Sequence, residues 1–262
     1  MKYYIYTVPK AGTYLLAVLL EKAGVHNTGY HIKPGKYLDT KAAGMNDNIS
    51  SPSRQSKESP SDQLLDKIAE GSFLFGHMTP FHFRKDQWQN LNVLLSIRDP
   101  KEVVESEFID FRFRRDDIQW VSKEVIKDDT LAFEHYLQKN LIHTENIFRE
   151  MHNFYNKIAT KTLPNDANLY ILNFKEFLNK EEGLKILQKI IDLFKLDTTA
   201  ADMDNLYDEI INEENKTKTV NEPVYVDKEI LWSDKARAIF DQSDVTSTYE
   251  TLLSFKEQQN EL

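Results

Sequence analysis

The stretch YYIYTVPKAGTYLL, residues 3–16, decides the fold. It opens with an aromatic and β-branched run at residues 3–8, which predicts a buried strand. Residues 9–12 interrupt this run. Residues 13–23 then have the composition of a helix, with Gly24 placed to end it. The start of the chain therefore predicts a strand, a short turn and a helix.

A turn between a strand and a helix presents free backbone N–H groups and the positive end of the helix dipole, which together bind anions. Gly12 allows close approach to an anion, while Lys10 adds a positive charge and Thr13 a hydroxyl. An ordinary turn with an exposed lysine is the alternative. In the ATP-binding P-loop the Lys follows the second glycine. Here Lys10 precedes Gly12 and residues 1–11 contain no glycine, which disfavours a Walker-type kinase or ATPase.

Strands and helices alternate along the rest of the chain. Further strands are predicted at residues 73–77, 93–97 and 169–174, and helices at residues 101–111, 130–161, 181–194, 202–213, 233–241 and 245–257. This order predicts an α/β fold with a central parallel β-sheet flanked by helices on both faces. Residues 40–62, rich in Ser, Pro, Asn and Lys, predict a mobile surface loop. Residues 200–262 form a helical C-terminal part.

The composition excludes several classes of protein. The formal net charge of −9 disfavours binding to nucleic acid or an anionic membrane, so an anionic ligand needs a local basic pocket. Because the chain has no cysteine, disulfides, thiolate nucleophiles and Cys-ligated zinc are excluded. No run of about 18 apolar residues predicts a membrane span, and no signal peptide is apparent. We therefore expect a cytoplasmic protein.

A second candidate anion site lies in LSIRDPKEVVES, residues 95–106. Arg98 ends a predicted strand, and Ser106 follows eight residues later, about two turns into the next helix. A guanidinium and a hydroxyl can converge on one phosphate from these two arms. The alternative is that Arg98 pairs with Asp99 or Glu102 and that Ser106 is a surface serine.

One histidine of the seven lies where a general base is useful. His77, in FGHMTPF at residues 75–81, ends a strand before a Pro-containing turn. An imidazole near its ordinary pKa of about 6.5 accepts a hydroxyl proton at neutral pH. Most histidines in a chain are structural or solvated, so the position of His77 between the two candidate anion sites is what favours a catalytic role.

Together these segments resemble those of the sulfotransferases that use 3′-phosphoadenosine-5′-phosphosulfate (PAPS). Residues 7–15 resemble the loop that binds the 5′-phosphosulfate, usually Pro-Lys-Ser/Ala-Gly-Thr-Thr/Ser. Arg-Asp-Pro with its later Ser resembles the 3′-phosphate segment, and His-Met-Thr-Pro resembles the segment with the general base. Tyr14 replaces the usual second hydroxyl residue, and Phe75 replaces a Lys of many cytosolic members.

The resemblance implies a single domain, residues 1–262, with a P-loop-like sulfotransferase fold. It implies transfer of a sulfuryl group from PAPS to an acceptor hydroxyl or amine, with release of 3′-phosphoadenosine-5′-phosphate (PAP) and without a metal. The expected catalytic residues are His77 and Lys10, and the expected donor-binding residues are Lys10, Ala11, Gly12, Thr13, Tyr14, Arg98 and Ser106. The acceptor is a small molecule, glycan or peptide, and residues 26–62 and 108–140 are expected to shape its pocket.

Some features leave alternatives open. Relatives often carry Arg-Lys-Gly-x-x-Gly near the C-terminus as a 3′-phosphate clamp, and this chain offers only scattered candidates, which are Lys216, Lys218, Lys228 and Lys235. The basic run at residues 112–115 is either a salt-bridged helix end or a recognition site for an acidic acceptor or the nucleotide. The alternative functions are a divergent nucleotide kinase or phosphotransferase, and a non-catalytic nucleotide-binding protein on a sulfotransferase scaffold.

Overall fold

The structure is a computed structural model that describes residues 1–33, 35–41, 56–84, 86–87, 91–159, 168–196, 202–214 and 224–260. A seven-stranded sheet runs through its centre. The strands are β1 (Lys2–Thr7), β2 (His26–Lys33), β3 (Lys36–Asp39), β4 (Ser56–Glu58), β5 (Ser72–Gly76), β6 (Leu91–Ile97) and β7 (Asn168–Asn173).

Helices follow most of the strands and make up most of the C-terminal part. They are α1 (Thr13–Lys22), α2 (Ser61–Lys67), α3 (Pro100–Phe113), α4 (Asp129–Ala159), α5 (Phe174–Phe177), α6 (Lys180–Phe194), α7 (Met203–Glu214), α8 (Lys228–Leu231), α9 (Asp234–Asp241) and α10 (Val245–Asn260), with a 3₁₀ turn at Pro80–His82. No helix in the described part of the chain has both the length and the apolar composition to cross a membrane.

The strand order is β4-β3-β2-β5-β1-β6-β7. The five strands from β2 to β7 pair in parallel, which confirms the predicted parallel sheet. At the β2 edge, β3 and β4 pair in the antiparallel direction, so the sheet as a whole is mixed. The middle strand of the five parallel ones is β1, whose side chains are buried on both faces, as expected of a parallel strand covered by helices.

The antiparallel edge corrects part of the sequence prediction. Residues 40–62 were expected to form a loop, yet Ser56–Glu58 is a strand that pairs Glu58 with Lys36 and Lys57 with Tyr37. A short edge strand is held by such cross-strand pairs and carries no hydrophobic signal. Residues 42–55 of the predicted loop lie outside the described residues. Strand β2 was missed because its sequence, HNTGYHIK, is largely polar and shifts register around Gly29.

Two hydrophobic layers sandwich the sheet. Tyr3 and Ile5 of β1 face the layer formed with α1, α6 and α7. Tyr4 and Tyr6 face the opposite layer, formed with α3, α4, α9 and α10, because successive side chains of a strand point to opposite faces. This arrangement confirms helices on both faces, and α4 is one continuous helix of 31 residues.

The parallel core brings the candidate segments together. Parallel strands end at the same edge of a sheet, and ligands bind in the crevice outside that edge. The segment 8–12 follows β1, His77 follows β5, and Arg98 follows β6. Since β1 pairs with both β5 and β6, the three predicted segments lie side by side.

Candidate active site

The loop between β1 and α1 has an unusual backbone. Lys10 has φ of 63° and Gly12 has φ of 79°, both in the left-handed region. Gly12 is the N-cap of α1 and offers no side chain to cap the first-turn N–H groups, and that turn holds no acidic residue. The helix N-terminus therefore presents donors and a positive dipole end with no opposing carboxylate in its own first turn.

Strand β6 fixes the carbonyl groups of this loop. Ser96 Oγ donates to Ala11 O at 2.7 Å, and Arg98 Nη1 donates to Lys10 O at 2.8 Å. In a planar trans peptide the N–H points opposite to the carbonyl, so the N–H of Gly12 points away from Ser96. Ser96 was not predicted to belong to the site, although a serine inside the apolar run 93–97, two residues before Arg98, is a usable signal in the sequence.

The aromatic ring of Phe174 packs against the loop at Gly12. A Cβ atom added to Gly12 would lie 2.3 Å from Phe174 Cδ2, so no side chain fits there. The Arg98 guanidinium lies 5.3 Å from the centroid of the same ring, within reach of a cation–π interaction. Phe174 thus contacts both the loop and Arg98, a role that the sequence did not indicate.

Lys10 points to helix α3. Its Nζ lies 3.0 Å from Asp110 Oδ2, and both side chains are largely buried, with 24% and 10% of their surface exposed. Arg114 Nη1 lies 4.0 Å from the other oxygen of Asp110. An anion that binds Lys10 must therefore share it with Asp110 or displace that carboxylate. The sequence analysis did not identify Asp110.

Arg98 and Ser106 lie on the same side of the loop. Arg98 Nε donates to Glu102 at 2.9 Å, the pairing that the alternative interpretation predicted. Glu102, Ser106 and Asp110 follow each other at intervals of four along α3 and so share one helix face. Because Glu102 contacts Arg98 and Asp110 contacts Lys10, this face borders the loop. Half-buried Ser106 therefore lies between the two cations.

His77 is anchored to the residue that precedes the loop. Its Nδ1 lies 2.9 Å from Thr7 O and 3.1 Å from Thr7 Oγ1. A carbonyl oxygen only accepts, so Nδ1 carries the proton and Nε2 is left as an acceptor. Thr7 Oγ1 also lies 2.6 Å from Thr13 Oγ1. The hydroxyl of Thr13, expected to bind the donor, is thus connected through Thr7 to the candidate base.

The environment of His77 changes its acidity. Burial lowers its pKa to about 4, and the nearby charges of Lys33, Lys10 and His143 lower it as well, against the raising effect of the bond to Thr7. The sequence analysis assumed a pKa near 6.5. The imidazole is therefore neutral at pH 7, with Nε2 available to accept a proton.

A second histidine, missed by the sequence analysis, contacts the first. The rings of His31 and His77 are 4.9 Å apart between centroids and meet edge to face. Nε2 of His31 is buried and has no hydrogen-bond partner among the described residues. Burial and the charges of His77 and Lys33 hold the pKa of His31 well below its ordinary value. Because β2 was not predicted, nothing in the sequence placed His31 here.

The two remaining loop residues contribute less through their side chains. Ala11 is fully buried and its N–H donates to Val8 O at 3.2 Å, so that donor is used within the loop. Tyr14 is 46% exposed, and its ring meets Phe75 edge to face at 5.9 Å. Phe75 itself is buried in the core beneath α1.

The basic run at residues 112–115 forms a salt-bridged helix end, one of the two interpretations of its sequence. Arg112 donates to Asp129 at 2.7 Å and to the carbonyl of Val121 at 2.6 Å, inside the protein. Arg115 forms two bonds to Asp117, at 2.6 and 2.8 Å.

The two candidate clamp lysines that the structure describes are each paired with a carboxylate. Lys228 pairs with Glu105 at 2.9 Å, and Lys235 pairs with Glu134 at 3.0 Å. Lys216 and Lys218 lie outside the described residues.

Comparison with known proteins supports the fold. Neither a protein-family model nor a curated protein sequence matches the chain. Mouse sulfotransferase SULT7A1 complexed with PAP superposes with a TM-score of 0.59 at 16% identity, over 95% of this chain and 88% of that chain. Retinol dehydratase in complex with androsterone and inactive cofactor PAP gives 0.54 at 15% identity, over 97% and 80%. The chain therefore has the P-loop-like α/β fold of the PAPS-dependent sulfotransferases.

Proposed function

We propose that the protein transfers a sulfuryl group from PAPS to a hydroxyl or amine of an acceptor. The observation that carries this proposal is the 2.9 Å contact between His77 Nδ1 and Thr7 O. It fixes the tautomer of the imidazole, so that Nε2 is its acceptor, beside Thr7, the residue that precedes a loop suited to bind the phosphosulfate, while burial keeps the ring neutral. A base and an anion site placed next to each other are what in-line transfer to a protonated acceptor requires.

The loop has the donor set that a phosphosulfate needs. The N–H of Gly12, the uncapped N-terminus of α1 and the ammonium of Lys10 supply directional donors and positive charge. Phe174 leaves no room for a side chain at Gly12, so only glycine fits at the N-cap of α1. These residues fit PAPS, and both solved structures compared above are complexes with PAP.

The 3′-phosphate would bind at the border between β6 and α3. Arg98 and Ser106 flank this border, and Arg98 also holds the loop through Lys10 O. A guanidinium donates bidentately to phosphate, which suits recognition of a second phosphate on the ribose. Selection of PAPS over ordinary adenine nucleotides would then depend on these two side chains.

Each residue of the site has one role in the proposed reaction. His77 Nε2 accepts the proton of the acceptor hydroxyl as that oxygen forms a bond to sulfur. The bond between sulfur and the 5′-phosphate oxygen breaks, and its electron pair leaves with PAP. Lys10 and the loop N–H groups stabilise the negative charge that develops on this oxygen. Transfer of this kind relies on positioning and electrostatic stabilisation more than on covalent catalysis.

The test is a pair of thermal titrations followed by a transfer assay. A ligand that binds only the folded state raises Tm with concentration. We expect PAP to raise Tm, and ADP with Mg²⁺ to leave it unchanged. The opposite result would indicate the kinase alternative. Radiolabelled PAPS with a panel of hydroxyl and amine acceptors then tests turnover, and PAP binding without any transfer would support the non-catalytic scaffold.

A further inference from the structure

Strand β2 places a lysine beside the candidate base. Its parallel pairing with β5 sets Ile32 opposite Gly76. Lys33 at the end of β2 and His77 just after β5 therefore lie side by side at the carboxyl edge. Side chains two apart on a strand share a face. His31 accordingly shares the face of Lys33, and its ring is in contact with that of His77.

Lys33 differs from the other cations nearby because its ammonium pairs with no carboxylate among the described residues. Lys10 is paired with Asp110 and Arg115 with Asp117. The Lys33 side chain is partly buried, yet its ammonium forms neither an ion pair nor a hydrogen bond within the described part of the chain. A buried ammonium without a partner is costly. A bound anion would remove that cost.

The electrostatics around Lys33 point the same way. Burial lowers its pKa, the charges of Arg115 and Lys36 lower it further, and only Asp117 opposes them. The charge of Lys33 in turn helps to lower the pKa of His77. An anion held at Lys33 would therefore offset this effect and make the imidazole a stronger base. The local field is positive although the chain carries a formal net charge of −9.

We propose that the acceptor carries an anionic group, such as a carboxylate or a sulfate ester, and that Lys33 binds this group while the reacting hydroxyl faces His77. This inference rests on the proposed function and names the class of its acceptor. Lys33 belongs to the stretch 26–62 that was expected to shape the acceptor pocket. The neighbouring Arg115 adds positive charge at the same place, paired with Asp117.

Two variants separate this role from general surface charge. Lys33→Gln removes the unpaired ammonium. Lys36→Gln is the matched control, because Lys36 is exposed and lies opposite Lys33 in the β2–β3 pair. Since Lys33 has no ion pair to lose, we expect Lys33→Gln to fold with an unchanged or higher Tm. Lys33→Met serves as a second variant that keeps the apolar stem of the side chain.

The probes are matched pairs in which a carboxylate is replaced by its neutral amide: 4-hydroxybenzoate with 4-hydroxybenzamide, and glucuronate with glucuronamide. Each is titrated by thermal shift at constant ionic strength, with and without saturating PAP. We expect at least one anionic member to bind the wild type about tenfold more tightly than its neutral partner. Lys33→Gln and Lys33→Met should lose this preference, and Lys36→Gln should keep it.

The titrations also separate the two proposals. Equal binding of charged and neutral partners, no binding of either anion, or a preference that survives in Lys33→Gln would overturn the anionic acceptor. The PAP titration reports on the proposed function by itself, and Lys33→Gln should leave the Kd for PAP within about twofold of the wild type. If the protein does not bind PAP but prefers anions in a way that depends on Lys33, the proposed sulfotransferase function is wrong. The anion site at Lys33 would still be supported.

Discussion

Lys10 Nζ lies 3.0 Å from Asp110 Oδ2, so a carboxylate of α3 holds the cation of the loop that follows β1. Water has little access to this pair, since both side chains are largely buried. Arg98 is held in the same way by Glu102, which lies about two helical turns before Asp110 on α3. The two cations expected to bind the donor phosphates are thus each paired within the protein, and donor binding has to compete with carboxylates.

Asp110→Asn should tighten PAP binding. The amide keeps the shape of the side chain but removes the charge that competes with the phosphates for Lys10. We expect the Kd for PAP to fall about three- to tenfold at low salt, measured by calorimetric titration. Asp208→Asn is the control, because Asp208 is an exposed carboxylate that pairs with Lys180 and not with a cation of the loop. Weaker PAP binding in a folded Asp110→Asn protein would instead mean that Asp110 orients Lys10 for the donor.

Gly12→Ala should be much more damaging than the same change at another glycine. Gly71 has φ of 74° and open space around its missing Cβ, whereas Gly12 has φ of 79° and would meet Phe174 at 2.3 Å. Gly71→Ala should cost only the left-handed backbone, about 1–2 kcal/mol of the free energy of unfolding. Gly12→Ala should cost more in urea unfolding and should abolish PAP binding. Similar losses in the two variants would argue against the role of Phe174.

The parallel core was predictable because its strands are buried on both faces. The sequence predicted each of these strands, such as Tyr3–Val8, from a continuous apolar run. The observed bounds of β1, β5, β6 and β7 agree with the predicted bounds within one or two residues. The β2–β3–β4 edge was not predictable from such a pattern. Its strands are half-exposed and polar, so their order comes from pairing across the sheet rather than from apolar periodicity.

The same contrast explains what was missed in the site. Lys10, His77 and Arg98 follow strands that the sequence predicts, and the parallel order of these strands brings the three residues to one edge of the sheet. Asp110 and Lys33 were missed for two different reasons. Asp110 is an ordinary helix residue until the packing of α3 brings it to Lys10. Lys33 reaches the site through a strand that the sequence did not reveal.

Ser106→Ala should weaken binding of PAP without weakening binding of 5′-AMP. Ser106 lies between Glu102 and Asp110 on the face of α3 that borders the loop. Arg98 also supports the loop through Lys10 O, so its removal would affect both ligands, whereas the serine hydroxyl has no such second role. Loss of one hydrogen bond to a charged phosphate predicts a roughly tenfold higher Kd for PAP. An equal effect on 5′-AMP would contradict a 3′-phosphate contact.

The pH dependence of stability follows from His77. Its pKa is lowered to about 4 in the folded protein from an ordinary value of 6.5, so the unfolded chain binds a proton between these two values and the folded chain does not. Stability should be complete above pH 6.5 and fall as the pH decreases towards 4, by up to about 3 kcal/mol for this group. His31, whose pKa is also lowered, should add to the same fall.

His77→Asn tests both the base and this pH dependence. The asparagine amide can still donate to Thr7 O, so the loop should stay in place and the Kd for PAP should change little, but no basic nitrogen remains. Transfer should fall by at least about a hundredfold. Tm should also fall less between pH 6.5 and 4 than in the wild type.

His26→Asn, at an exposed histidine of β2, is the control. A variant with normal transfer rates would exclude His77 as the base. A wild-type rate that declines with an apparent pKa near 6.5 would show that the imidazole is not held in its low-pKa state during turnover.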